Sequence, residues 1–268
     1  MKPTFLNHER PLLVGMIQKK TPAECIGIVR DELADGADAF GLQIESIERK
    51  YRTEKDIKSI YEAMCGRPIY VTNYRGCQNK GMSDEECAEG VLRALEYGAT
   101  IGDIMGDMFD ESPLENRSRT GCKYPELSVS PAAVEKQKKL IDKIHSMGKE
   151  VLMSSHVLEY IPAEQTLEIA FEQQKRGADV VKIVTAANSP EEEAENIRTT
   201  MLLKKELKVP FLFLSGGTHY KRHRLAGPMF GCGFYLCVPY YYEGSTPTQP
   251  TLRNVRAVME NTKYINFD

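Results

Sequence analysis

The chain has 268 residues, 41% apolar and 27% charged, enough to bury one large core of an ordinary globular domain. Its net charge of −3 offers no electrostatic footprint for nucleic acid or a membrane surface, and no apolar run reaches the roughly 18 residues that a membrane span needs. The opening residues MKPTFLNHER lack the apolar stretch of a secretory leader, so a cytoplasmic protein is expected.

Short apolar runs alternate with longer amphipathic stretches along the whole chain. PLLVGMIQ (11–18) reads as a strand, and PAECIGIVRDELADG as a helix ending at Gly36. ADAFGLQIES (37–46) is a second strand, followed by a helix over 53–65. RPIYVTNYR (67–75) is a third, before the helix SDEECAEGVLRALEYG (83–98), where Ser83 and Glu86 have capping-box spacing. ATIGDIMGD (99–107) is strand four. The helix over 130–148 has Pro131 suited to its first turn and Gly148 to its end. KEVLMSSH (149–156) is strand five, PAEQTLEIAFEQQKRG a helix, and ADVVKIVT (178–185) strand six. The next helix opens at Ser189 with carboxylates in its first turn. VPFLFLSGG and GFYLCVPY are strands seven and eight, and TLRNVRAVME is a closing helix.

Such alternation implies a parallel sheet with right-handed crossovers. Eight strands suggest closure into a TIM (β/α)₈ barrel, α/β in class, as a single catalytic domain over 1–268. An open doubly wound sheet is the alternative, but no GxGxxG follows the first strand, so a dinucleotide site has no support. The irregular stretch 109–130 follows strand four and is expected to lie like a lid over the C-terminal face of the barrel. The seven cysteines include no CxxC pair, so packed, reduced thiols are expected and no zinc site.

Lys182 is a charge in an apolar strand, DVVKIV, both of whose faces a barrel covers. Burial lowers a lysine pKa, and the free amine is the nucleophile that Schiff-base chemistry uses. A lysine snorkelling or bridging a structural carboxylate is the alternative. His156 ends strand five, beside strand six, where a proton-transfer group would serve such a lysine. Taken alone, a strand-end histidine is equally a hydrogen-bonded structural residue. Arg224, after strand seven, and Ser245 and Gln249, after strand eight, suit a carboxylate. Lys221 and Arg222 read as solvated. Asp103, Asp107, Asp110 and Glu111 are acidic neighbours at the strand-four end, where capping or solvation explains them as well as a metal would.

Together these residues resemble the type I 3-dehydroquinate dehydratase family, from first strand to last. SSH followed by a VVKIV strand looks like that family's catalytic histidine and Schiff-base lysine. SGGTHYKRHRLAGPMFG looks like its arginine stretch, and STPTQ like its Ser-Ala-Pro-Gly-Gln turn. The resemblance implies a cofactor-free, metal-free hydro-lyase of the shikimate pathway and a homodimer. Lys182 would form an imine with the ketone of a cyclic keto acid, His156 would move protons as water is eliminated, and Arg224, Ser245 and Gln249 would hold the carboxylate.

The first half departs from the family. Its strand-two glutamate and arginine fall at Gly41 and Gln43, and its strand-three arginine near Tyr74, with Arg75 adjacent. The glutamate that orients the histidine has no obvious counterpart, Gln78 and Asp103 being the nearest candidates. Gln43, Tyr74, Arg75 and Asp103 are therefore expected on the substrate, with a rebuilt hydroxyl-recognition surface and a substrate other than 3-dehydroquinate in view. An aldolase-type imine enzyme and a non-catalytic small-molecule-binding barrel are the alternatives.

Overall fold

A computed structural model describes residues 2–113 and 123–262. Eight parallel strands run β1 (Leu12–Ile17), β2 (Ala39–Gln43), β3 (Ile69–Thr72), β4 (Ile101–Met105), β5 (Glu150–His156), β6 (Val180–Ala187), β7 (Phe211–Gly217) and β8 (Phe234–Cys237). They are ordered β7-β6-β5-β4-β3-β2-β1-β8, and the two end strands curl towards each other into a nearly closed barrel. No ladder joins β7 to β8 among the described residues. Their edges meet where Gly233 N–H donates to Phe211 O at 2.9 Å. The expected barrel is therefore present, and the doubly wound alternative is not.

Helices cover the outside: α1 (Pro22–Ala34), α2 (Glu54–Ala63), α3 (Asp84–Glu96), α4 (Pro131–Ser146), α5 (Ala163–Arg176), α6 (Pro190–Glu206), α7 (Lys221–Ala226) and α8 (Leu252–Asn261). Their starts follow local chemistry. Ser83 and Glu86 form the expected capping box on α3, and Thr21 with Glu24 forms another on α1. Ser189 caps α6 through Glu192 N–H. Gly148 (φ 66°) and Gly177 (φ 105°) end α4 and α5 in the left-handed conformation that glycine adopts cheaply.

One helix lay outside the sequence reading. KRHRLA forms α7, six residues long, too short to show a period. Its cap comes from far along the chain: the buried Glu193 carboxylate of α6 accepts Arg222 N–H at 3.1 Å and Arg222 Nε at 2.7 Å. An anion at the first N–H groups of a helix satisfies donors that lack intrahelical partners.

The barrel is plugged at the N-terminal end of its strands. Phe5 packs edge-on against Phe234 at 5.1 Å, and Glu150 holds this segment through Thr4 Oγ1 (2.5 Å) and Phe5 N–H (2.9 Å). The stretch expected as a lid falls partly outside the described residues, at 114–122, together with Cys122. Among the described cysteines, Cys25, Cys87, Cys232 and Cys237 are buried and Cys65 and Cys77 exposed, all as free thiols. No described helix is long and apolar enough to cross a membrane.

Candidate active site

A cavity of about 660 Å³ opens at the C-terminal ends of the strands, with Lys182 and His156 in its wall. Strand register brings these two together. Ser154 of β5 pairs with Lys182 of β6, and His156 lies two residues further along the same face. The Gln173 side chain of α5 grips the Lys182 main chain on both sides, accepting from its N–H at 3.2 Å and donating to its carbonyl at 3.3 Å.

Lys182 is 3% exposed, and its ammonium is surrounded by acceptors. Nζ donates to Tyr74 Oη at 2.6 Å, Tyr70 Oη at 2.9 Å and Asp103 Oδ2 at 3.3 Å. Both tyrosine hydroxyls donate in turn to Asp103 Oδ2, Tyr70 at 2.5 Å, while Ser154 Oγ holds Oδ1 at 2.5 Å. Burial pulls the Lys182 pKa below that of an ordinary lysine, with Asp103 pulling the other way. The expected bridge to a carboxylate and the expected cavity lysine are thus the same residue. Asp103 serves the lysine here, whereas it was weighed as a partner of His156.

The His156 imidazole meets the edge of the Tyr74 ring at 4.9 Å, and its main-chain N–H donates to Glu126 Oε2 at 3.4 Å. Burial, reinforced by the positive charges of Lys182 and Arg224, holds its pKa well below the usual range, so the ring is a neutral base. Gln78, the other residue weighed as its partner, borders a separate cavity near Gln18 and Ser46.

On the far wall Arg224 is 4% exposed. Its Nε donates to Ser215 O at 2.5 Å and Nη2 to Thr248 Oγ1 at 3.3 Å. Its Nη1 and Gln249 Oε1 are buried without a hydrogen-bond partner among the described residues. A buried guanidinium with no carboxylate beside it is costly unless an anion completes it. Ser245 is not in this wall: its hydroxyl closes a turn, donating to Tyr242 O at 2.8 Å and accepting Tyr242 N–H at 3.0 Å. The wall hydroxyls of this loop belong to Thr246 and Thr248.

Gln43, Tyr74 and Arg75 all border the cavity. Arg75 is committed elsewhere, however, with Asp84 on Nε and Nη2 (both 2.7 Å) and Asp107 on Nη1 (2.8 Å). At Gly41, the place of the family's strand-two glutamate, the Met16 thioether occupies the space a side chain would take. Three neighbours escaped the sequence reading. Tyr70 stands four residues before Tyr74 in the stretch 67–75 that reads as a strand, and that even spacing is the signal that could have exposed it. Glu45, beyond β2, is buried against the Thr72 hydroxyl at 2.9 Å, and burial pushes its pKa up to about 7. Glu126 enters from the irregular segment, which has no period to read. Among the described residues no cluster of His, Cys, Asp or Glu is arranged to hold a metal.

The profile of the type I 3-dehydroquinase family matches residues 111–265. The 3-dehydroquinate dehydratase of Aromatoleum aromaticum is 23% identical over 240 residues, 88% of this chain and 82% of that protein. The one from Alkaliphilus oremlandii is 28% identical over 123 residues, 45% of this chain and 48% of that protein. Most of the curated relatives are matched over about half their length or less. The crystal structure of 3-dehydroquinate dehydratase from Geobacillus kaustophilus superposes with a TM-score of 0.78 at 16% identity, covering 96% of this chain and 93% of that one. The type I enzyme from Clostridium difficile, solved with covalently modified comenic acid, gives 0.76 at 16% identity, over 97% and 96% of the two chains. The family profile thus begins after β4 and takes in Lys182, His156, Arg224 and Gln249.

Proposed function

Because the chain belongs to the type I 3-dehydroquinase family, we propose that it is a Schiff-base dehydratase of a cyclic keto acid, 3-dehydroquinate or a close relative. The observation that carries this reading is Lys182, a buried amine in a cavity wall, facing the incomplete guanidinium of Arg224. Arg224 Nη1, Thr248 and Gln249 fix the substrate carboxylate. The Lys182 amine adds to the ketone, and loss of water leaves an iminium. Neutral His156 takes a proton from the adjacent carbon, since the iminium acidifies that bond. The electron pair of the resulting enamine expels the β-hydroxyl, and the His156 imidazolium returns its proton so that water leaves. Hydrolysis of the product imine frees Lys182.

The first-half wall supports a substrate that differs from 3-dehydroquinate in its ring hydroxyls. Met16 fills the space at Gly41, and Gln43 and Tyr74 occupy the places of charged residues in the family. A homodimeric, cytoplasmic enzyme completes this reading, the dimer tested by light scattering.

Borohydride reduction in the presence of 3-dehydroquinate, comenic acid and related cyclic keto acids, followed by peptide mass mapping, is the test. An adduct on Lys182 is expected, and an adduct on another lysine, or none with any of them, overturns the assignment. Release of water without carbon fragments separates dehydration from aldol cleavage.

A further inference from the structure

Asp103 does not reach the cavity. Of the cluster around the amine, only Lys182, Tyr70 and Tyr74 border the space a ketone would enter. Yet Asp103 is the one carboxylate among the described residues that is bonded to Nζ, and it is 1% exposed. The ammonium proton must leave before attack, and a proton must come back when the carbinolamine oxygen departs. Resting on the imine reading above, we propose that Tyr74 and Asp103 are a proton relay that frees the Lys182 amine and then protonates the departing hydroxyl.

The geometry favours the path through Tyr74. Nζ to Tyr74 Oη is 2.6 Å, against 3.3 Å to the carboxylate itself. The Tyr74 hydroxyl already donates to Asp103 Oδ2. In one concerted shift Tyr74 Oη accepts a proton from Nζ and passes its own to Oδ2, giving a neutral amine and a protonated Asp103. The amine lone pair forms the N–C bond, and the nitrogen loses a proton to the former ketone oxygen. Asp103 then sends its proton back through Tyr74 to that hydroxyl, the C–O bond breaks, and water and an iminium result. The sum is ketone plus ammonium giving iminium plus water, with Asp103 restored as a carboxylate.

The surroundings suit this division of labour. Burial, with Asp103 next to them, lifts both phenols well above ordinary tyrosine, so Tyr74 conducts a proton without storing the negative charge. Tyr70 and Ser154 keep the carboxylate fixed. The other ionisable groups facing Lys182 are poor receivers. His156 is disfavoured as a cation between Lys182 and Arg224, and Glu45 is turned to Thr72. The two assignments stay separate: Asp103 and Tyr74 make the imine, and His156 works on it afterwards.

The test is the rate of borohydride trapping on Lys182 in rapid mixing with 3-dehydroquinate or comenic acid, between pH 5.5 and pH 9.5. Tyr74→Phe and Asp103→Asn are each expected to slow trapping by about 10²–10⁴-fold. Their residual rates should climb about tenfold per pH unit, because the amine then loses its proton only to bulk solvent. His156→Ala should lose α-proton exchange into D₂O while keeping the wild-type shape of the trapping pH profile, without the tenfold climb per pH unit. Trapping by Tyr74→Phe within threefold of wild type overturns the relay. So does a slowed rate with an unchanged pH profile, which would mean positioning alone. If Asp103→Asn does not fold, Tyr74→Phe decides, since it removes one oxygen from a half-buried ring. Wild-type protein without a Lys182 adduct sinks the imine reading, and the relay falls with it.

Discussion

His156 sits between two cations, and that has a kinetic consequence. Its depressed pKa keeps the imidazole unprotonated as pH falls through the ordinary histidine range near 6.5. The acid limb of kcat/KM is therefore expected below pH 6.5, as a pH–rate profile would show. His156→Ala should lower kcat by about 10²–10⁴-fold. Arg224→Gln should raise KM by roughly 10- to 100-fold, as the loss of a charge-assisted carboxylate contact implies. Glu32 makes the opposite case, a buried group with no catalytic task. Both its carboxylate oxygens lack hydrogen-bond partners among the described residues, and Gly15 leaves it room against β1. Burial pushes its pKa up to about 9. In the unfolded chain it ionises near the ordinary value of 4.5, so the folded state is penalised increasingly as pH rises from there towards 9. Glu32→Met, similar in volume, is expected to stabilise the fold against urea more at pH 8 than at pH 5, by on the order of 1–3 kcal/mol near pH 7. Equal gains at both pH values would show that ionisation is not the cause.

At the scale of elements, α7 depends on a carboxylate from α6. Glu193→Ala should cost about 1–2 kcal/mol in urea unfolding and also raise KM, because α7 carries Arg224. What can be read from the chain follows the range of the forces involved. Capping at Ser83 and Ser189 is local, and both helix starts are legible. The strands are legible because burial on both faces demands apolar runs. The α7 cap spans 29 positions, from Glu193 to Arg222, and leaves no local mark. Ser245 fails for a related reason. A motif places it by spacing, but its hydroxyl is free to satisfy its own turn, and the wall passes to Thr246 and Thr248. Tyr70 hides because a buried polar residue in a strand looks like packing until its partner across the barrel is known, and Glu45 because the turn after β2 gives no sign that it folds in against Thr72 of the next strand.

At the scale of the molecule, stability and chemistry occupy opposite ends. Phe5 plugs the end away from the cavity, so Phe5→Ala should cost about 3–5 kcal/mol in Tm-derived stability while leaving kcat per folded molecule unchanged. The site divides along the chain as well. The family profile covers the lysine, histidine and arginine half, while Gln43, Tyr70 and Tyr74 of the cavity wall lie before it. The junction between β7 and β8 belongs to the covered half. There the barrel is a hoop with a slit, and Arg224 and Gln249 follow its two lips. A carboxylate held by both would act as a staple across the slit. Ligand binding should then slow amide hydrogen exchange in 211–217 and 234–237 more than in the ladders opposite, so that the substrate itself supplies the stitch that the sheet leaves out.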